Sequence, residues 1–565
     1  MADPATSIAA VPVASGPPSV SARPRFAKPL TTILLILVAG GALVARLPGL
    51  SVRPPHGDEA NQFIRFQDLW ENGRYVYDPH EFHGPTLYYA TLPAFWLSGV
   101  RDFRDATEAD FRIVTVVFGA ATLLLMVGVA DGLGRLAAVV AAVLCALSPA
   151  LVFYSRYYIQ EPLLLFFTFA TIVCGWRLTQ ASGSRAMWAV LGGLSVGLMH
   201  ATKETWVIAA FAMAGGVAMA AMWARLVDGA QGQSAAVRLP AKRALLLAVA
   251  VAAAVAFVFY SSFFTHWEGP WDSIRAFGLY MSRRPGLHDH PWDWYLGQLV
   301  GWTSFPPYAR HDPVCSELLI LVLAGLGVIA ALMPARWNLV GPLARFIAFY
   351  TLIATAVYSA VSYKTPWCMI TFLHGMVLLA GVGVAAVVRL MPLWPAKALV
   401  FAPLVWLGLP LARQFHRLNF AAPYCFDERR NPYIYAHSHA DVLRLAQRME
   451  RLAAAHPRGR SMPILFFTHD YWPLPWYLRR FDQVDYGGEI PAGPLPFAGA
   501  PDGPVIVASA DDDAAITLKL RPATAPSTPY VAETFSLRRQ VLVTLYVDRT
   551  LWDRMVALGP KARLP

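Results

Sequence analysis

Two acids side by side, Asp58 and Glu59, open a stretch from His56 to Tyr89 that also holds His80, His83 and a dense run of aromatic residues. The stretch follows directly on an apolar segment of membrane length, which puts its chemistry at a membrane surface. Adjacent carboxyls at such a boundary suit proton abstraction from a hydroxyl, because partial desolvation and a neighbouring like charge both lift one carboxyl towards working pH. An exposed acidic pair also serves plain solubility. The pair alone therefore decides nothing, and the cations that could complement it matter.

Those cations recur at three later junctions between apolar segments. Tyr154-Ser-Arg156-Tyr-Tyr-Ile-Gln-Glu161, His200-Ala-Thr-Lys203-Glu204 and Tyr363-Lys364-Thr-Pro-Trp367 each place a basic residue in a short turn. On the threading given below all three turns are non-cytoplasmic, against the usual bias that keeps Lys and Arg inside. Convergence of Arg156, Lys203 and Lys364 on a phosphate in the outer leaflet would account for this, by stabilising a negative leaving group. Snorkelling to headgroups, or pairing of Arg156 with Glu161, accounts for any one of them as well. The cost of charge in a membrane favours the phosphate site for all three together.

The segment from Thr265 to Asp312 adds Arg283, Arg284 and the trio His288, Asp289, His290 among tryptophans, a composition suited to lying along lipid headgroups. His288 and His290 with His56 or Asp58 could ligate a divalent ion, but a bare histidine pair is a weak metal pattern. Protein cations can neutralise a phosphate without one, so no metal or other cofactor is required. The five cysteines are scattered, with neither a zinc-cage spacing nor a disulfide framework.

The elements that must position these residues are membrane helices. With 56% hydrophobic and 15% charged residues in 565, the chain is a polytopic membrane protein. Apolar blocks near 30–48, 111–130, 135–153, 160–178, 186–200, 204–223, 243–264, 315–333, 345–362, 368–388 and 396–414 predict about eleven transmembrane helices. The net charge of +11 is spread over short loops instead of forming an aromatic-interleaved patch, so nucleic acid is not a partner. Starting inside, the basic loops satisfy the positive-inside rule at every crossing. Residues 1–28 read as a disordered cytoplasmic tail, and residues 29–414 as the membrane domain, with outer loops 51–110 and 265–313. The protein is thus expected in the cell membrane, multi-pass, with its N-terminus cytoplasmic. A transporter would place its ionisable groups near the midplane of an internal repeat; here they gather on one side.

From residue 415 charge rises and short β-rich runs, Pro463–Thr468, Pro504–Ser509 and Gln540–Val547, alternate with helical patterns such as His437–Ala455. Residues 415–565 therefore read as an extracytoplasmic α/β domain. Its Thr468-His-Asp470-Tyr471-Trp472-Pro-Leu-Pro-Trp-Tyr-Leu-Arg479 run offers flat rings for a sugar acceptor, or equally for packing.

The Asp58-Glu59 pair in a first outer loop, His83-Gly84-Pro85 followed by Leu87-Tyr88-Tyr89, and Ser155-Arg156-Tyr157 ahead of Glu161 resemble the membrane glycosyltransferases of the C-type (GT-C) fold. These include the protein O-mannosyltransferases and the aminoarabinose transferases of lipid A. The HGDEA, YKTPW and DYWPLPWYLR runs look most like the flippase-activity-associated glycosylation proteins of that superfamily. The resemblance implies a polyprenyl-phosphate sugar donor, transfer by inverting displacement to an acceptor protein, lipid or glycan outside the cytoplasm, Asp58 as base and Glu59 in positioning. Substrate contacts are expected from His83, Tyr88, Glu161, Arg283, Arg284, His288, His290, Trp367, Asp470, Tyr471 and Trp472. His83-Gly84-Pro85 departs from the His-Pro-Pro that the transferases often carry. The alternative is a non-catalytic helper or translocator of lipid-linked oligosaccharide, which needs the phosphate-binding face but no base.

Overall fold

The computed structural model describes residues 29–559 apart from 81–82, 181–184, 230–240, 282–285, 287, 302–316, 338, 392, 423–430, 494, 496–502 and 521–528. The expected tail 1–28 and the expected substrate contacts Arg283 and Arg284 lie outside the described residues.

The helices that carry the argument are α1 (Pro29–Arg46), α2 (Gly57–Asn72), α3 (Thr86–Ser98), α4 (Glu108–Leu124), α5 (Arg135–Leu147), α6 (Pro149–Ser155), α7 (Glu161–Gln180), α8 (Arg185–His200) and α9 (Trp206–Val227). They continue with α10 (Lys242–Tyr260), α11 (Gly269–Met281), α12 (Trp294–Val300), α13 (Leu318–Leu332), α14 (Pro342–Ala360), α15 (Ile370–Leu390), α16 (Trp394–Phe420) and α17 (Asp441–Ala455). Among the described residues eight helices are long and apolar enough to cross a membrane, and the pair α5 and α6, bent by 62°, makes up to nine. The sequence pattern predicts about eleven. The two others, α8 and α13, are helices of 16 and 15 residues at the expected places.

The bend between α5 and α6 has a local cause. Pro149 pushes the residue before it out of the helical region, and Ser148 sits at ψ 116° with its hydroxyl capping Leu151 N. Apolar periodicity cannot register that break, so 135–153 reads as one span. Elsewhere small residues let spans touch closely. A side chain on Gly327 would meet Leu379 O at 1.9 Å, and one on Gly383 would meet Leu323 O at 2.3 Å, which locks α13 against α15.

Beyond α16 lies a five-stranded sheet of β1 (Ile464–Phe467), β2 (Val484–Asp485), β3 (Val505–Ser509), β4 (Tyr530–Arg538) and β5 (Val541–Asp548), in the order β2-β1-β3-β5-β4. Strand β1 runs parallel to β2 and β3, and β5 is antiparallel to β3 and β4. Helix α17 covers one face with Val442, Leu445, Met449 and Leu452, the i, i+3, i+7, i+10 stripe visible in the sequence, all fully buried.

This domain is fastened to the membrane helices. Trp476 is buried, its indole donates to Glu108 Oε1 at 2.8 Å, and its ring meets Phe63 at 4.7 Å and Phe111 at 5.6 Å. Arg479 donates to Ala106 O at 2.6 Å and stacks on Trp476, while Arg480 pairs with Asp105 at 3.0 Å.

Candidate active site

Helix α2 begins with the acids. His56 is its N-cap: the imidazole Nδ1 accepts from Asp58 N at 2.9 Å, and Glu59 Oε2 accepts from His56 N at 3.1 Å. Both carboxylates therefore stand in the first turn, where unpaired N–H groups favour negative charge. Their fates then diverge. Glu59 is fully buried and grips Arg112 of α4 in two-pronged fashion, Nε to Oε1 at 2.7 Å and Nη2 to Oε2 at 2.8 Å, while also accepting from Tyr158 N at 2.9 Å. Arg112 spends its remaining nitrogen on Leu50 O and Arg53 O. Burial alone would raise the Glu59 carboxyl, but Arg112, with Arg53 and the Tyr158 amide, outweighs it and holds the group below its ordinary range. Asp58, with a side chain 51% exposed, lines an adjoining cavity of about 260 Å³.

That cavity gathers residues from far apart in the chain: Asp58, Asn61 and Gln62 from α2, His80 and His83 from the loop after it, Lys203 and Glu204 from the turn between α8 and α9, and Tyr363, Thr365 and Trp367 from the turn before α15. Lys203 forms a buried ion pair with Glu161 at the start of α7. Burial works against the ammonium charge, but Glu161 overrides it and moves the lysine well above its ordinary value. Tyr88 of α3 is buried, donates to Gln62 and stacks on Tyr75 at 4.5 Å.

The other expected cations sit differently. Lys364 is buried and donates to the carbonyls of Val361 and His290, the latter at 3.0 Å, fastening residues 288–290 to the turn before α15. Its neighbours Tyr363 and Thr365 line the cavity. Arg156 is not brought to that cavity. It donates to Arg46 O, Asn419 O and Pro48 O, stacks on Phe420 at 4.3 Å, and lines a separate cavity of about 240 Å³ with Arg53 and Arg112. The sequence expectation of three cations on one phosphate is corrected for Arg156: the α6 end turns back onto α1 and α16, where buried helix-end carbonyls supply its acceptors. The expected local pairing of Arg156 with Glu161 is likewise replaced by Lys203 with Glu161.

His288 Nδ1 and His290 Nε2 both reach the Tyr435 hydroxyl, at 2.8 and 3.2 Å. Among the described residues no group of three or more His, Cys, Asp or Glu is arranged to hold a metal ion. Asp470 pairs with Arg538, Tyr471 packs on Tyr486 at 4.7 Å, and Trp472 Cβ lies 3.5 Å from where a side chain on Gly57 would begin, beside Asp58. The run thus serves packing through Tyr471 and Trp476 while bringing Trp472 to the edge of the acidic helix.

Two contributors escape the sequence reading. One is Arg112, which looks like any charge at the start of an apolar block. The other is the strap Asn431–Ser438 that joins α16 to α17. Its Tyr435 meets Trp367 at 6.2 Å; its His437 ring lies 5.2 Å from His56 and 5.1 Å from Tyr157; Ser438 donates to Pro55 O at 2.6 Å. Ala436 between them has φ +50°, a conformation few non-glycine residues adopt. His437 is buried, and burial, with His56 and Arg53 nearby, pushes its imidazole well below the ordinary value.

Compared with known proteins, the solved structure of ArnT from Cupriavidus metallidurans in the apo state aligns over 92% of this chain and 99% of its own length, with a TM-score of 0.59 at 14% identity. The fold is the GT-C-like one expected from the sequence. The same ArnT bound to undecaprenyl phosphate aligns over 91% of this chain and 98% of its own, with a TM-score of 0.58 at 14% identity. A family model described as dolichyl-phosphate-mannose-protein mannosyltransferase matches residues 93–266 of this chain. No curated protein matches it significantly.

Proposed function

We propose that the protein is an integral membrane glycosyltransferase that moves a sugar from a polyprenyl-phosphate carrier to an acceptor outside the cytoplasm, by inverting displacement. The observation that carries this reading is the division of labour in the first turn of α2. Glu59 is locked by Arg112, while Asp58 stands exposed in a cavity that also holds Lys203. Asp58 is the base: it takes the proton of the acceptor hydroxyl as that oxygen attacks the anomeric carbon, and the carrier phosphate leaves from the opposite face. Lys203, with Lys364 behind the cavity wall, supplies positive potential, and Trp367, Tyr88 and Trp472 shape the space for the sugar and acceptor. The carrier bound in one ArnT structure and the mannosyltransferase description of the matched family support this donor class. A divalent ion is not required by this scheme. The N-terminus is then cytoplasmic, and the cavity and the domain after α16 face outwards.

The test is Asp58→Asn in proteoliposomes supplied with radiolabelled polyprenyl-phosphate sugars. Transfer should fall by at least about a hundredfold, the usual contribution of a general base. Retained glycan export in cells carrying that variant would instead point to a non-catalytic role in handling lipid-linked oligosaccharide.

A further inference from the structure

The acids around the cavity differ in what answers their charge. Glu59 is matched by Arg112, Glu161 is matched by Lys203, and the Asp58 side chain is half exposed to water. Glu204 is the exception. It is 4% exposed, its side chain lines the cavity with Asp58, and its Oε1 is buried with no hydrogen-bond partner. His83 Nδ1 stands 3.6 Å from Oε2, too far to donate, and is itself buried without a hydrogen-bond partner. Among the described residues the Glu204 carboxylate therefore accepts no hydrogen bond. A buried acceptor left in that state costs free energy, and a cavity occupant rich in O–H donors removes the cost.

The carboxylate is placed by the backbone. Gly84 N donates to Thr202 O at 3.1 Å, Thr86 N donates to Ala201 O at 3.0 Å, and His83 bridges Lys203 in antiparallel fashion. A Cβ on Gly84 would meet Ala201 O at 2.2 Å, so the glycine is what allows this close approach. The α8–α9 turn is thereby fixed against the loop before α3. Its two adjacent charges then take different partners: Lys203 pairs with Glu161, and Glu204 is left to the cavity, where Tyr363 and Trp367 add flat amphipathic rings.

We propose that Glu204 is the residue that reads the transferred sugar: it accepts hydrogen bonds from ring hydroxyls and restricts the donor to sugars without a carboxylate. This rests on the transferase reading above. An ionised carboxylate is acceptor-only with two oxygens, so it takes two neighbouring hydroxyls at once, through charge-assisted bonds stronger than neutral ones. A uronic acid presents the wrong sign. Its carboxylate would enter a cavity that already holds Asp58 and Glu204 and whose lysine is engaged by Glu161, and like charges in a partly dry site repel strongly. The selection acts on the sugar alone, because the carrier phosphate is common to every donor.

The probes are undecaprenyl phosphate bare, bearing glucose, galactose or mannose, and bearing the uronic acid of each hexose, which differs only in an exocyclic carboxylate. Dissociation constants are measured on the full-length protein in nanodiscs at neutral pH. For wild type at least one hexose form should bind roughly tenfold more tightly than the bare carrier, as expected for charged hydrogen bonds, and its uronic counterpart no more tightly than the bare carrier. Ratios to the bare carrier cancel any effect of a variant on the phosphate. Glu204→Gln should lose most of the hexose ratio and narrow the gap between hexose and uronate. Glu204→Asp keeps the charge but draws it back by one methylene, so it should lose hexose affinity and still reject the uronate, a split that a merely structural role would not produce. Equal binding of each hexose and its uronate by wild type, or a hexose ratio that Glu204→Gln leaves unchanged, overturns the proposal while leaving carrier binding intact. Absence of binding of the bare carrier and of every sugar form by wild type overturns the transferase reading itself. If Glu204→Gln does not fold, the wild-type hexose-to-uronate ratio and Glu204→Asp carry the same test.

Discussion

Glu59 shows how one residue can fix another without sharing its role. Its carboxylate ties α2, α4 and the Tyr158 amide together, so Asp58 enters the cavity from a rigid helix start. Glu59→Gln leaves the Arg112 charge buried and uncompensated and should cost roughly 3–5 kcal/mol, read as a large fall in melting temperature. The pH sign follows from its depressed value: the stability it contributes is complete above about pH 4.3, the unfolded value, and is lost as pH falls through the lower folded value. Acid melting curves of wild type and Glu59→Gln should therefore converge at low pH. His437 acts in a higher window. It is neutral in the fold, whereas the unfolded imidazole takes a proton below about pH 6.5, so stability falls as pH drops from there towards the folded value. His437→Gln should flatten that part of the curve. The acidic pair itself was plain in the sequence, because adjacent acids after a first span are unusual chemistry. Which acid is exposed was not, since that depends on Arg112, more than fifty positions away.

At the level of elements, apolar block length located every long helix but could not see geometry that depends on one backbone torsion. The Ser148-Pro149 bend and the Gly84 approach to the α8–α9 turn are of that kind. Gly84→Ala places a methyl group against Ala201 O, so the loop must lift from the turn; sugar transfer should drop by an order of magnitude or more, as a shift of about 1 Å costs near a reacting centre, with far less change in melting temperature. Activity assays beside thermal melts separate the two effects. Strands β1, β3 and β5 were legible as apolar runs. Strand β4, only three of whose nine residues are buried, and the two-residue edge strand β2 carry too little pattern to be read without their partners.

Across the whole molecule, the domain after α16 is part of the site's architecture. Trp476→Ala removes a ring buried among Phe63, Phe103 and Phe111 and should cost roughly 3–5 kcal/mol, seen as a domain released by limited proteolysis between α16 and α17. The fold class was visible from composition, whereas the docking of DYWPLPWYLR onto α2 and α4 was open between packing and acceptor contact until the partners were known. The strap has a temporal consequence as well. Asp58 is synthesised early, but the ring that backs its helix cap, His437, leaves the ribosome almost four hundred residues later. A nascent chain therefore carries its acidic pair through its membrane insertion with the surrounding aromatic cluster incomplete, and the arrangement closes only once the strap has been made.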